Sequence, residues 1–221
     1  MANHLDNVLN VYYSKRAKEY EKIYNRPNKV RLQEQELIAE YIKKSFKNRY
    51  VLELACGTGY WTKYLLKNAY KIVAVDASSE MLKIASSRYS NNPSINFLQM
   101  DAYNPPKTFP PFSGAMACFW FSHIPKKQIH RFLKVLHTRL APASFVLFVD
   151  NVYRKGLGGK IIVKKGRKDT WKQRRLDRGG NYEILKNYYN KDDLERIFFK
   201  YTNKIEIQYL SHFWLVGYFY Y

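Results

Sequence analysis

Glu53-Leu54-Ala55-Cys56-Gly57-Thr58-Gly59 sets an acid just ahead of two glycines separated by one residue. Without Cβ atoms such a stretch can turn sharply and let a ligand lie against its backbone. Glu53 itself suits a ligand carrying an ammonium group. Asp76 stands 23 positions further on, and a carboxylate there can accept both hydroxyls of a ribose. Asp101-Ala102 offers a carboxylate and a backbone N–H that can read an adenine edge. Phe119-Trp120-Phe121-Ser122-His123-Ile124-Pro125 brings a histidine among aromatics. His123 could serve as a general base or orient an acceptor, or it could be a loop histidine bonded to backbone. Trp120 and Phe121 could wall an acceptor site or belong to the core. Tyr13 and Tyr20, seven apart, share one face of a helix and could reach a ligand or staple that helix to the core.

The elements that must position these residues follow from the pattern. Val11 to Tyr24 and Lys29 to Lys44 read as helices parted by Asn25-Arg26-Pro27-Asn28. Apolar runs at Tyr50–Leu54, Lys71–Val75, Ile95–Gln99, Gly114–Phe121 and Ser144–Val149 read as buried strands. Helices alternate with them: one through Leu66, Glu80–Tyr89 capped by Ser78-Ser79, and Lys126–Leu140. That alternation predicts an α/β fold, a doubly wound and mostly parallel sheet within a single domain spanning residues 1–221. In such sheets ligands sit at the carboxyl ends of the strands, where Glu53–Gly59, Asp76, Asp101 and His123 all fall. After Asp150 the rhythm breaks. Trp171–Leu176 and Tyr182–Lys186 around Asp177-Arg178-Gly179-Gly180 predict a hairpin, a small basic cap. Asn190 with Asp193 predicts a capped helix over 192–199, followed by strands at Ile205–Leu210 and Phe213–Tyr220.

A nicotinamide dinucleotide would use similar logic, but its fingerprint wants Gly-x-Gly-x-x-Gly, and here Thr62 holds the third position. Adenosine, an ammonium and no pyrophosphate point to S-adenosylmethionine (SAM), with S-adenosylhomocysteine (SAH) as product. Val51–Gly59 resembles motif I of the class I SAM-dependent methyltransferases, and Ala74-Val75-Asp76-Ala77-Ser78-Ser79-Glu80-Met81-Leu82 is similar to the segment that follows it there. The match runs in order from about Tyr50 to Asp150 and more loosely beyond. It implies a seven-stranded sheet whose last strand, Phe213–Tyr220, is antiparallel. It also implies that Gly57 and Gly59 touch the methionine portion, Asp76 the ribose, Met81 the adenine face, and Asp101 with Ala102 its edge. Ala55, standing where the family usually has its first glycine, belongs with Cys56, Ala77 and Phe119 to the expected donor-binding set. The 11–24 helix resembles one that covers the cofactor in many small-molecule members, where Tyr13 or Tyr20 would meet the donor. Asn104-Pro105-Pro106-Lys107 is similar to a nucleic-acid amino-methyltransferase motif, but it follows the third strand rather than the fourth and lacks the aromatic.

Charge bears on the acceptor. The 221 residues carry 38 Lys+Arg against 18 Asp+Glu, a net of +20, and 46% are hydrophobic, which excludes a fully disordered chain. Residues 151–180 hold eleven cations and two acids, Asp169 and Asp177. This balance suits an anionic small-molecule acceptor; RNA is an alternative partner, and a non-catalytic binding protein of the same fold a third reading. The two cysteines, Cys56 and Cys118, form no disulfide framework, no metal-ligand spacing appears, and residues 1–10 lack the apolar stretch of a signal peptide. Gly114–Phe121 is too short to span a bilayer, so a cytoplasmic enzyme without a membrane span is expected.

Overall fold

The structure is a computed structural model and describes residues 4–221. In chain order its helices are α1 (His4–Arg16), α2 (Lys29–Ser45), α3 (Thr62–Leu65), α4 (Ser79–Arg88), α5 (Ile129–His137) and α6 (Lys191–Phe198). Its strands are β1 (Tyr50–Leu54), β2 (Lys71–Asp76), β3 (Ile95–Gln99), β4 (Phe112–Cys118), β5 (Leu140–Asn151), β6 (Ile161–Val163), β7 (Thr170–Arg175), β8 (Asn181–Leu185), β9 (Ile205–Tyr209) and β10 (Phe213–Tyr220). Seven strands form one sheet in the order β3-β2-β1-β4-β5-β10-β9. β1 pairs in parallel with β2 and β4, which makes it interior, and the order reverses between β1 and β4. Only β10 runs against its neighbours β5 and β9, as the resemblance implies.

Two apolar layers cover the sheet, because alternate residues of a strand face opposite sides. Leu52 and Leu54 face a layer that holds Ile129, Phe132 and Leu136 of α5 with Leu194 and Phe198 of α6. Val51 faces the other, with Ile38 and Ile42 of α2, Leu65 of α3 and Leu82 of α4. Asn28 starts α2 by accepting the Arg31 N–H at 2.9 Å, just after Pro27 breaks the preceding helix. Asn190 and Asp193 cap α6 reciprocally, as their spacing predicts.

Three details differ from the sequence expectation. The helix over 11–24 is α-helical only to Arg16 and tightens to 3-10 from Ala17 to Ile23. In that tighter turn Glu21 accepts from the Thr58 hydroxyl at 2.6 Å and pairs with Arg88 at 2.8 Å, tying the segment to the glycine loop. The fourth strand ends at Cys118, because Phe119 takes φ +63° and turns the chain into a short 3-10 helix over Phe121–His123. The basic cap is not a two-stranded hairpin but a three-stranded sheet, β6-β7-β8. α1 packs on it, with Tyr12 buried against Leu176 and Ile184.

Candidate functional site

A cavity of about 540 Å³ opens at the carboxyl ends of β1, β2, β3 and β4 and is roofed by α1. The glycine turn forms its floor. Ala55, Gly57 and Gly59 all have positive φ, at 50°, 58° and 76°. For Ala55 that conformation is strained, and such strain concentrates at ligand sites. Asp76 braces the turn: it accepts the Gly57 N–H at 2.8 Å on one oxygen and the Ser78 N–H at 2.9 Å on the other. Each oxygen keeps a further lone pair for a ligand hydroxyl. Burial raises the Asp76 carboxyl above its usual range, against the pull of these N–H groups.

Of the residues expected to hold the donor, Tyr13, Tyr20, Ala55, Gly57, Asp76, Ala77, Met81, Asp101, Ala102 and Phe119 line this cavity, and His123 does too. Glu53, Cys56 and Gly59 are not among its lining residues. Glu53 lies on the Val51 face of β1, where its carboxyl accepts from the Thr62 hydroxyl at 2.7 Å. Burial first, and then the charge on Asp76, pushes its pKa up to about 8 despite that hydrogen bond. Gly59 is pressed under α4: a Cβ there would stand 2.9 Å from Tyr89 Cε2. Asn10 and Ser78 also line the cavity and were missed. Spacing along α1 could have found Asn10, three residues before Tyr13. Ser78 caps α4 through the Met81 N–H, and its hydroxyl also meets that of Ser14 at 2.8 Å, pinning α1 over α4.

His123 is buried, and both ring nitrogens are engaged. Nδ1 lies 2.6 Å from the Leu185 carbonyl oxygen, an acceptor only, so Nδ1 carries the hydrogen and donates it. Nε2 therefore accepts, and the Tyr13 hydroxyl 2.8 Å away donates to it. Burial first, then the nearby Lys186 charge, lowers the His123 pKa to about 3. The ring is a neutral wedge between α1, β8 and the cavity. Trp120 lines the cavity as well, whereas Phe121 is wholly buried in the core beside Phe148 and Trp214.

Behind Tyr13, Tyr20 and Phe119 lies a second chamber of about 90 Å³, which shares these three residues with the first. Arg16, Arg26, Arg31, Arg154, Arg174 and Lys186 line it. Sequence reasoning flagged only Arg154 and Arg174, as part of the basic segment. The others come from α1, the 24–28 break, α2 and the end of β8, and no local pattern announces that they converge. Lys186 is the one with a counterion: it contacts Asp150 at 2.9 Å and donates to Ser122 Oγ at 2.6 Å. Among the described residues, no helix is long and apolar enough to cross a membrane and no cluster of metal-ligating side chains occurs.

A family model described as "Methyltransferase domain" matches residues 51–143. An uncharacterized methyltransferase of Oceanobacillus iheyensis is 24% identical over 201 residues, covering 90% of this chain and 86% of that one. Among solved structures, the DhpI-SAH complex superposes with a TM-score of 0.77 at 22% identity, covering 98% of this chain and 97% of that one. The N-methyltransferase NodS from Bradyrhizobium japonicum, in complex with SAH, superposes with a TM-score of 0.68 at 12% identity over 96% and 97% of the two chains. At these identities the structural likeness speaks for the fold.

Proposed function

We propose that the chain is a SAM-dependent methyltransferase of class I, as its matched domain and its fold support, and that it transfers the methyl group of SAM to a small anionic acceptor. One observation carries the donor assignment: Ala55 and Gly57 of the turn, Asp76, Met81 and Asp101-Ala102 all line a single cavity of about 540 Å³, a volume in the range of small-molecule sites. The residues present fit the donor. Asp76 has acceptor capacity for the ribose hydroxyls. Met81 and Ala102 offer apolar surface to the adenine. Gly57 leaves the backbone bare beside Tyr20, whose ring lies 3.8 Å from where a Cβ would stand. Glu53 acts from behind the turn, through Thr62, in holding it to shape.

SAM supplies an already activated methyl group on a sulfonium, so the protein's own work is to align the acceptor and exclude water. Tyr13, Tyr20 and Phe119, common to both chambers, form the passage between donor and acceptor. The small second chamber supports a small acceptor, and its cations support an anionic one. Asp76→Ala should weaken SAH binding by about 100-fold, the loss of two hydrogen bonds to a charged group. Isothermal calorimetry, with a thermal melt to confirm the fold, tests this; near-wild-type affinity would end the donor assignment.

A further inference from the structure

We propose that the methyl acceptor is itself an oxyanion, a carboxylate or a phosphate- or phosphonate-type oxygen, held by the arginines of the second chamber and methylated to an ester without a general base. The inference rests on the donor reading above and goes beyond it by naming the nucleophile.

Five of the six cations converge without a counterion. Among the described residues, Arg16, Arg26, Arg31, Arg154 and Arg174 make no ion pair within 4 Å. No carboxylate lines the chamber. The acids nearby lie behind its walls: Asp150 on Lys186, Glu34 against His212 and the 211–212 backbone, and Glu19 on the Asp177 N–H. Several of the cations are spent on carbonyls, Arg31 on Ile23, Arg154 on Ser211 and Arg174 on Gly158. Yet the Nε atoms of Arg31 and Arg174 are buried without a hydrogen-bond partner. Arg26 is held below its usual range by burial first, and then by the charges on Arg16 and Arg174. A group that relieves this mutual repulsion is an oxyanion, whose planar or tetrahedral oxygens match the guanidinium fork.

The absence of a free base at the passage points the same way. His123 has its one lone pair on Tyr13 and its hydrogen on Leu185. Tyr13 and Tyr20 are phenols kept neutral by burial. Lys186 is bound to Asp150 and Ser122. An alcohol or ammonium acceptor must lose a proton to something; an oxyanion has none to lose. In the step, a lone pair of the acceptor oxygen forms the O–CH3 bond, the C–S bond breaks, and its electron pair stays on sulfur. Sulfonium and anion become thioether and ester, and no proton moves. The ester has one negative charge fewer, which loosens the arginines' hold and favours release.

The test begins with the SAH-loaded protein, into which inorganic phosphate, methylphosphonate and acetate are titrated in separate calorimetric runs. At least one should bind. Arg174→Met should weaken that binding about tenfold or more, while Arg178→Gln, an exposed turn residue, leaves it as in wild type. Binding of acetate alone assigns a carboxylate acceptor; binding of phosphate or methylphosphonate alone assigns a phosphoryl one. Transfer of isotopically labelled methyl to alkyl carboxylates and alkyl phosphonates is then followed beside matched alcohols and amines. Label should appear on acid oxygens, recoverable as methanol by mild alkali from a carboxylate ester, and kcat/KM should show no rising limb from pH 7 to 10. A loaded protein that binds none of the three anions, equal binding by Arg174→Met, or label on nitrogen or an alcohol oxygen overturns the inference while leaving the donor reading intact. Failure of SAH itself to bind overturns both.

Discussion

Glu53 shows how one side chain can be read correctly as important and still be placed on the wrong side of a wall. Its position beside the glycine turn was legible, because strand ends and acids are visible in sequence. Its direction was not, because it depends on β1 being buried on both faces, which sends Val51 and Glu53 together into the α2 layer. The consequence is measurable. The carboxyl keeps its proton to about pH 8 in the fold, against about 4.5 for a glutamate in water. Between those values the folded state binds more protons than the unfolded one, so its contribution to stability declines as pH rises through this window and is level above it. Glu53→Gln keeps an oxygen to accept from Thr62 and removes the titration. The loss of Tm between pH 5 and pH 8 should shrink in the variant by at least about 2–4 °C, the equivalent of about 1 kcal/mol for a chain of this size. Identical pH slopes for variant and wild type would show that Glu53 titrates normally. His123 carries the same lesson: its candidacy came from its aromatic neighbours, but its tautomer is set by Leu185, 62 residues away, which no local pattern connects to it.

At the level of elements, the two glycines of the turn do different jobs. Gly57 faces the cavity, where an added Cβ meets only Tyr20 at 3.8 Å. Gly59 lies between loop and helix, where a Cβ meets Tyr89 Cε2 at 2.9 Å and Ala85 at 3.3 Å, and the Tyr89 hydroxyl donates to the Gly59 carbonyl. Both have positive φ, so either alanine costs about 1–2 kcal/mol in backbone strain. Gly59→Ala adds overpacking between the turn and α4, a further 1–3 kcal/mol or about that. Calorimetry and thermal melts should therefore separate them: Gly59→Ala lowers Tm more, whereas Gly57→Ala lowers SAH affinity more at a smaller cost in Tm. The reverse order would exchange their roles. Sequence spacing identified both glycines but could not divide the work, since the division depends on how closely α4 packs. The doubly wound, mostly parallel sheet was legible because alternating apolar runs and helices admit few topologies. The cap was less so: β6 is only Ile161–Val163, too short and too flanked by lysines to stand out as a strand.

At the scale of the whole molecule, the net charge of +20 divides into two populations with different consequences. Lys164, Lys165, Arg167, Lys168, Arg175 and Arg178 are exposed on the cap, while Arg16, Arg31, Arg174 and Lys186 are partly or fully buried where α1, α2 and the cap meet. Composition alone merges the two, which is why it left RNA as an alternative to a small anion. The outward set predicts weak binding to any polyanion, with affinity falling steeply as salt rises, since released counterions drive it. The inward set is shielded from bulk salt and, on the reading proposed above, holds the acceptor. A single-stranded RNA should accordingly bind the protein at low salt and be lost by about 0.2 M. Replacing Lys164, Lys165, Arg167 and Lys168 with glutamine should reduce that binding and its salt slope. Turnover of a small anionic acceptor should stay within about twofold of wild type in this variant and in the presence of RNA. If the four substitutions instead abolish methyl transfer, or if labelled methyl accumulates on the RNA, the outward cations are the acceptor site and the small-molecule reading fails.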